Sequence, residues 1–391
     1  MKVICDRAAL LDAVNLVTSV APARSPKHEL TCVKLEASDE TLTLQATDAD
    51  VSLTMQTDRA DVSEPGAVLI PADKLRQIVA AEDADDALTI QAKDDNVTIT
   101  GKDARFTVYS QDVSRFPAPP AHALDDARTL EVQPSDLRRL IHLTLFATAR
   151  ETSRYAFNGV LLKYSRPGDK GDKHTLELVS TDGRRLARAS TPYTTTKPSE
   201  DTIACIIPSK ALSLVAKLLS QIPDGSLTKL TIVENQAFFS FYEKSDAEPM
   251  ATITSALVEG AFPPYDDVIP KQQDMRATFS VETLRSAFRR AALLTTEESR
   301  GVRMSFNPDG DSTSLKLSSR APETGEAEID VSIEEYEGTE IEIGFNPQFI
   351  LDALKVLDTD KVIFEMKAPN KPGTLRIDND FVYVVMPVNL Q

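Results

Sequence analysis

One local plan occurs three times in this chain. Near the start of each third an extended stretch runs into an amphipathic helix, within 3–20, 130–148 and 278–295. About 60 to 75 residues further on, each third repeats the step. The segment Ala67-Val68-Leu69-Ile70-Pro71-Ala72-Asp73-Lys74-Leu75 is answered by Ala204-Cys205-Ile206-Ile207-Pro208-Ser209-Lys210-Ala211-Leu212, and more loosely by Ile341-Glu342-Ile343-Gly344-Phe345-Asn346-Pro347-Gln348-Phe349. Internal repetition fixes an architecture before any single residue is interpreted. Three strand-rich copies with two helices each describe a rigid α+β scaffold rather than a catalytic cleft.

Helical periodicity places the six helices within 6–20, 72–83, 135–154, 209–221, 282–303 and 347–360. Leu10, Leu11, Val14, Leu16 and Val17 form the apolar stripe of the first, and Leu284, Phe288, Ala291 and Leu294 that of the fifth. Between helices, segments such as 41–46, 96–100, 105–109, 175–179, 251–254, 314–317 and 341–343 alternate with period two. That pattern predicts antiparallel sheets with one buried face. The run 166–173 reads as a polar hairpin tip. Proline clusters at 117–120 and 263–264 stop strands and stiffen connections. They divide the chain into domains 1–123, 124–264 and 265–391.

The 41% hydrophobic and 26% charged content suits a globular protein. No apolar run is long enough to span a bilayer, and Asp6, Arg7 and Asp12 interrupt the first helix, so no signal-peptide core or membrane partner is expected. Cys5, Cys32 and Cys205 lack any C-x-x-C spacing and read as small buried residues of a reducing cytoplasm. The net charge of −17 looks hostile to nucleic acid, but its distribution is uneven. The six helical segments sum to +2 and the remainder to −19. Arg138, Arg139, Lys210, Lys217, Arg285, Arg289 and Arg290 supply much of this bias. Solvated helix faces commonly carry such residues, so the asymmetry matters only if all the helices face one partner.

Catalytic signatures are missing. There is no phosphate-cradling glycine loop and no nucleophile elbow, and the four histidines are scattered. Asp48, Asp50, Asp266 and Asp267 are more readily turn residues bonding their own backbone than metal ligands. No cofactor, no metal and no enzymatic activity are expected.

Four segments carry a resemblance: Ser180-Thr181-Asp182-Gly183-Arg184-Arg185-Leu186-Ala187, Arg154-Tyr155-Ala156-Phe157-Asn158-Gly159, Arg300-Gly301-Val302-Arg303 and Tyr383-Val384-Val385-Met386-Pro387-Val388-Asn389-Leu390. With the threefold repeat, they make essentially the whole chain similar to the bacterial replicative sliding clamps, the beta subunits of DNA polymerase III. The resemblance implies three clamp-type domains with sheets outside and helices lining a central hole, closed as a head-to-tail homodimer around duplex DNA. Such a ring is a processivity factor. It tethers the polymerase III catalytic subunit, the clamp loader, and other polymerases and repair proteins through their short linear motifs.

By the same resemblance a partner-peptide groove would be formed by Arg154, Phe157, Thr181, Gly183, Arg184, Arg185 and Leu186, with Pro263 and Val268 from the connector. Asn346, Phe349, Val384, Val385, Met386, Pro387, Val388 and Leu390 would complete it. An apolar hollow with a few polar groups suits an aliphatic–aromatic motif. Arg24 stands at a DNA-contacting loop position, though it is equally a turn arginine between Pro22 and Pro26. The seam would bring Lys74, Arg105 and Phe106 against Leu293, Leu294, Glu323, Glu326 and Glu328; both leucines fit core as well as seam.

Departures from the family pattern are Glu151, Arg184 in place of histidine, Asp267 where a basic residue is common, Ser299 where an aromatic is common, Asn389 in place of arginine, and the extra Gln391. Groove membership carries over, but peptide preference does not. Two rival readings stay open: a carboxylate- and metal-dependent nuclease using Asp48, Asp50 and Asp182, and a β-rich scaffold with no DNA role.

Overall fold

The computed structural model describes the chain apart from residues 39, 84–85, 119–127, 150–155, 169–172, 194–201, 224, 245–247, 296–300, 310–311 and 390–391. The described residues form two compact units. One holds 1–138 and 210–257, the other 139–193, 202–209 and 258–389.

In the first unit a five-stranded sheet runs in the order Ala60–Glu64, Lys2–Asp6, Ala87–Lys93, Asn96–Thr100, Arg105–Tyr109. An eight-stranded sheet runs Arg128–Val132, Leu227–Val233, Gln236–Tyr242, Ala251–Ala256, Val51–Thr57, Thr41–Thr47, Cys32–Ser38, Gly66–Pro71. Within it a strand of the middle repeat pairs with one of the first, Ile253 opposite Leu53. Helix α1 (Arg7–Val17) begins where the Asp6 carboxylate accepts the Ala9 N–H at 2.8 Å. It buries Leu10, Ala13, Val14 and Val17 at helical spacing. Helix α2 (Ala72–Ala81) starts directly after Pro71, packs on α1 and buries Leu75, Ile78 and Val79.

Helices α3 (Pro134–Thr144) and α4 (Ser209–Leu219) belong to the middle repeat, each beginning at or just after a proline.

The second unit carries a nine-stranded sheet in the order Ile203–Pro208, Gly159–Ser165, Thr175–Thr181, Arg185–Pro192, Phe381–Val385, Gly373–Ile377, Lys361–Met366, Met275–Ser280, Glu335–Glu337. A four-stranded sheet runs Gly325–Ser332, Ser312–Ala321, Val302–Asp309, Ile341–Phe345. Every described pairing in both units is antiparallel, as alternation predicts; the first three of the nine strands form a buried antiparallel run. Helices α5 (Val281–Ala291) and α6 (Pro347–Lys355) pack on one another, capped by Ser280 and by Asn346, whose Oδ1 accepts from Gln348 N at 2.9 Å. Phe279, Phe288, Phe306, Phe345 and Phe364 are fully enclosed, each worth roughly 1.5–3 kcal/mol over exposure.

Several expectations need correction. The fifth helix does not reach 303. It ends at Ala291, a 3₁₀ turn covers Ala292–Leu294, and a strand begins at Val302. The Thr295 hydroxyl bonds back to Ala292 O at 2.9 Å and closes that turn. The third helix ends at Thr144, whose hydroxyl returns to Leu140 O, and the sixth at Lys355, ahead of a strand starting at Lys361. In α1, Leu11 is half-buried and Ala13 takes its place in the core. The expectation of one buried face fails in the nine-stranded sheet, where Thr175–Thr181 and Phe381–Val385 are buried on both. The tip of the 166–173 hairpin lies partly outside the described residues.

Candidate partner groove, basic helix faces and open strand edges

The second buried face of the nine-stranded sheet is the floor of the candidate groove. Successive side chains on a strand point to opposite faces, so Val179 and Thr181 share one face with the paired Leu186 and Val384. Ala156, Leu161, Val179, Leu186, Ile206, Tyr265 and Val384 form one buried cluster, with Val258, Phe262 and Ile269 packed against it. The last three and Tyr265 come from the proline-rich connector. The Tyr265 hydroxyl donates to Glu177 Oε1 at 2.5 Å, and Glu177 also pairs with Arg188. Burial, then the Glu177 carboxylate, push the Tyr265 pKa well up, so the phenol remains a donor. Pinned in this way, the connector presents Val268 with 44% of its surface exposed.

One wall is the tight turn 181–185. Asp182 Oδ1 accepts the N–H groups of Arg184 and Arg185 at 3.0 and 3.1 Å, and Thr181 Oγ1 accepts from Gly183 N while donating to Arg185 O. Gly183 adopts φ +86°, a conformation that glycine reaches without steric cost. A Cβ there would sit 3.4 Å from the Phe157 ring, which places Phe157 against the turn. Arg184 is exposed at the tip.

Arg185 faces the other way, beneath the groove. Its guanidinium meets Asp182 Oδ2 at 2.9 Å, Asp352 Oδ2 at 2.7 Å and Phe146 O at 3.0 Å, and lies over the Phe349 ring at 4.6 Å. Burial alone would lower its pKa, but Tyr383, Asp352 and Asp182 outweigh that and the net shift is upward. Tyr383 completes the underside, donating to Phe349 O at 2.9 Å and packing on Phe146.

The tail forms the remaining side. Val384 and Val385 are buried strand residues; beyond them Met386 N donates to Arg184 O and Val388 N to Gly344 O, each at 2.9 Å. This holds Met386 at 41% exposure, with Pro387 and Val388 half-buried beside it. Pro263 is half-buried in the connector. Asn346 spends its side chain capping α6, and Phe349 is half-buried on that helix. Arg154 and Leu390 lie outside the described residues, as do Glu151, Ser299 and Gln391. Sequence reasoning took only Pro263 and Val268 from the connector, and overlooked its floor residues Val258, Phe262, Tyr265 and Ile269 as well as Asp352. The aromatic flanks of the Pro263-Pro264 pair were the available signal.

The helices, trimmed to their observed ends, hold eleven basic and five acidic residues, so their contrast with the acidic remainder is sharper than the sequence segments suggested. Arg138, Lys217 and Arg289 are exposed, and Arg24 is exposed on the bend after α1. Three other basic candidates have carboxylate neighbours: Arg139 lies 3.7 Å from Asp380, while Lys210 pairs with Asp48 and Arg285 with Glu282.

Four of the candidate seam residues, Arg105, Phe106, Glu326 and Glu328, fall on two strands that end their sheets. Arg105 and Phe106 lie on Arg105–Tyr109, last in the five-stranded sheet, and Tyr109 on the same strand is 75% exposed. Lys74 is exposed on α2. Glu326 and Glu328 lie on Gly325–Ser332, which ends the four-stranded sheet. Leu293 is 78% exposed, whereas Leu294 is half-buried. Unpaired strand edges are templates for pairing with another chain. Tyr109 was not foreseen.

Two of the three carboxylates behind the nuclease alternative, Asp48 and Asp182, are occupied as turn residues, and Asp50 is exposed. Asp48 Oδ1 accepts from Asp50 N and Val51 N at 3.0 and 2.7 Å, and Asp182 serves its own turn and Arg185. All three cysteines are free and buried, and burial pushes the Cys5 and Cys205 thiols up to about 12. No helix among the described residues is long and apolar enough to cross a membrane.

Comparison with known proteins assigns the repeat. Family models of the DNA polymerase III beta subunit match three times in succession: the N-terminal domain over residues 1–120, the central domain over 131–264 and the C-terminal domain over 266–389. The beta sliding clamp of Pseudomonas putida is 33% identical over 386 residues, 98% of each chain. A crystal structure of the DNA polymerase sliding clamp from Pseudomonas aeruginosa covers all of both chains at 32% identity and a TM-score of 0.85. Another Pseudomonas aeruginosa clamp, solved bound to griselimycin, matches at 32% and 0.87. The chain belongs to the DNA polymerase III beta subunit family. It has that family's three-domain clamp fold, and its function is that of a processivity clamp.

Proposed function

We propose that two copies of the chain close head to tail around duplex DNA, and that the ring tethers the polymerase without catalysing any reaction. The observation that carries this reading is the concentration of basic residues on the helices of a chain whose remaining surface is strongly acidic. A DNA-facing lining of this kind attracts phosphates without reading bases, and weak sequence-independent contacts permit sliding. Arg24, Arg138, Arg139, Lys210, Lys217, Arg285 and Arg289 are the proposed DNA-proximal residues. The paired ones among them supply a softened field, which suits movement along the duplex better than a grip.

The seam joins the edge strand carrying Arg105, Phe106 and Tyr109, together with Lys74 of α2, to the edge strand carrying Glu326, with Leu293 and Leu294. Opposite charges around exposed apolar side chains favour a stable and openable contact. Domains 1–123, 124–264 and 265–391 supply one half of the ring. The groove between the Gly183 turn, Val268 and Met386 takes short linear motifs of the polymerase catalytic subunit, the clamp loader, and other polymerases and repair proteins in the cytoplasm. A ligand-bound relative of the same fold supports a binding function for this family's surface. Light scattering after size exclusion tests the closure: a mass near twice 42.8 kDa is expected, and a monomer at micromolar concentration contradicts it.

A further inference from the structure

We propose that the seam repeats, residue for residue, the two strand joints inside the chain, with Glu328 facing Arg105 of the second copy; the inference rests on the head-to-tail closure proposed above. In the first joint Val51–Thr57 pairs with Ala251–Ala256, Leu53 opposite Ile253. In the second Arg185–Pro192 pairs with Phe381–Val385, Ala187 opposite Tyr383. Both close alike. Asp48 and Asp182 each accept two N–H groups of their own turn, and the carbonyls of Asp50 and Arg184 accept from Ala256 N and Met386 N. Two residues on, Val258 N reaches Ile206 O and Val388 N reaches Gly344 O. The first repeat ends in the same way, with Gln111 N on Leu69 O at 3.1 Å. Phe106 lies five residues before Gln111, as Ile253 does before Val258 and Tyr383 before Val388, so Phe106 takes the place of Tyr383. Its strand, however, ends its sheet.

The receiving half is present in the last repeat. Ser180 Oγ donates to Thr144 O, and Ser319 Oγ to Ala291 O. The Thr148 and Thr295 hydroxyls each return to the carbonyl three residues back. Leu293 therefore stands where Phe146 does. Ser180 pairs with Ala187 and Ser319 with Ala327, so Ala327 stands where Ala187 does. The seam register follows: Ala327 opposite Phe106 of the second copy, Glu326 opposite its Thr107 and Glu328 opposite its Arg105, with its Tyr109 N on Thr324 O. Tyr383 packs on Phe146, so Phe106 of the second copy covers Leu293, which is 78% exposed in the single chain. Arg105, Glu326 and Glu328 are all exposed. Glu328 meets Lys316 at 3.2 Å in its own chain, an exposed pair that costs little to exchange. Opposite charges directly across a strand pair favour one register over its neighbours. Where the second joint holds Arg185 bolted to Asp352, the seam has exposed Gly325 and no such bolt.

Disulfide trapping on the full-length chain tests the register. Directly opposed strand residues have Cα atoms about 5.5 Å apart, within disulfide reach, whereas diagonal neighbours do not. The variant T107C/E326C, changed at two exposed positions, should form a covalent dimer on mild oxidation. R105C/E326C and Y109C/E326C, displaced by two residues, should cross-link about tenfold less. By light scattering across a dilution series, R105E and E328R should each weaken dimerisation about fivefold, and R105E/E328R should restore it. A displaced pair that cross-links as well as T107C/E326C, or a double reversal that fails to rescue, overturns the proposal. So does a dimeric wild type that T107C/E326C does not trap. A wild type that stays monomeric is a distinct result, which overturns the head-to-tail closure itself.

Discussion

Arg185 Nη1 lies 2.7 Å from Asp352 Oδ2, joining a strand of the middle repeat to helix α6 of the last. The same guanidinium holds Asp182 at 2.9 Å, so one buried cation fixes the turn that forms a wall of the groove. Removing it leaves two carboxylates and the Phe146 carbonyl short of a partner in a largely enclosed site. Arg185→Met should lower stability by about 3 kcal/mol, because breaking a buried pair strands the remaining charges. Arg185→Lys should recover part of the loss, since lysine keeps the charge but not the fork. Urea midpoints measure both; a midpoint unchanged in Arg185→Met would refute the role.

Gly183 tests the wall directly. Its φ of +86° costs an alanine about 1 kcal/mol, and the added Cβ would touch Phe157. Gly183→Ala should therefore reduce stability modestly and weaken groove-peptide binding further than that loss alone explains. Calorimetry with a core peptide separates the two effects.

Alkaline pH should destabilise the fold through its cysteines. Cys5 and Cys205 are raised from 9.0 to about 12, so the folded chain retains thiol protons that the unfolded chain has released. Their contribution is complete below pH 9 and is lost as pH rises toward 12, by up to about 1.4 kcal/mol per pH unit for each thiol. Tyr265 and Tyr383, also raised, act in the same direction above pH 10. Thermal unfolding of Cys5→Ala/Cys205→Ala should fall less steeply between pH 9 and 11 than wild type; parallel slopes would contradict the assignment.

Leu293 isolates the seam from the core. With 78% of its surface exposed, Leu293→Asp should leave the thermal stability of the isolated subunit within about 0.5 kcal/mol of wild type while shifting the mass distribution toward monomer. Tyr109→Asp on the other edge should do the same. Light scattering across a dilution series reads both, and an unshifted distribution would place the seam elsewhere.

The repeat was legible because its signals are local: Pro71, Pro208 and Pro347 at or beside helix starts, and strict alternation in segments such as 96–100. Helix ends were read too long where a threonine hydroxyl, as at Thr144 and Thr295, returns to its own backbone and stops the helix without a glycine. The groove was legible only through resemblance. Its floor is assembled from residues far apart in sequence, Tyr265 on Glu177 and Leu186 opposite Val384, and no period relates them. Arg185 adjoins Leu186, yet the pleat sends the two to opposite faces, so its place under the groove became visible only with the register. Tyr109 ended an alternating strand, and nothing local showed that the strand would be an edge.

The most direct test of encirclement is retention on DNA of defined topology. The chain is loaded by its clamp loader onto nicked circular plasmid, passed through gel filtration in moderate salt, and the plasmid is then cut once. Co-elution with the circle and release after the cut is the predicted result, since only a closed ring on an endless duplex is trapped. Equal retention before and after linearisation would mean that ordinary surface contacts hold the protein, and would contradict the account.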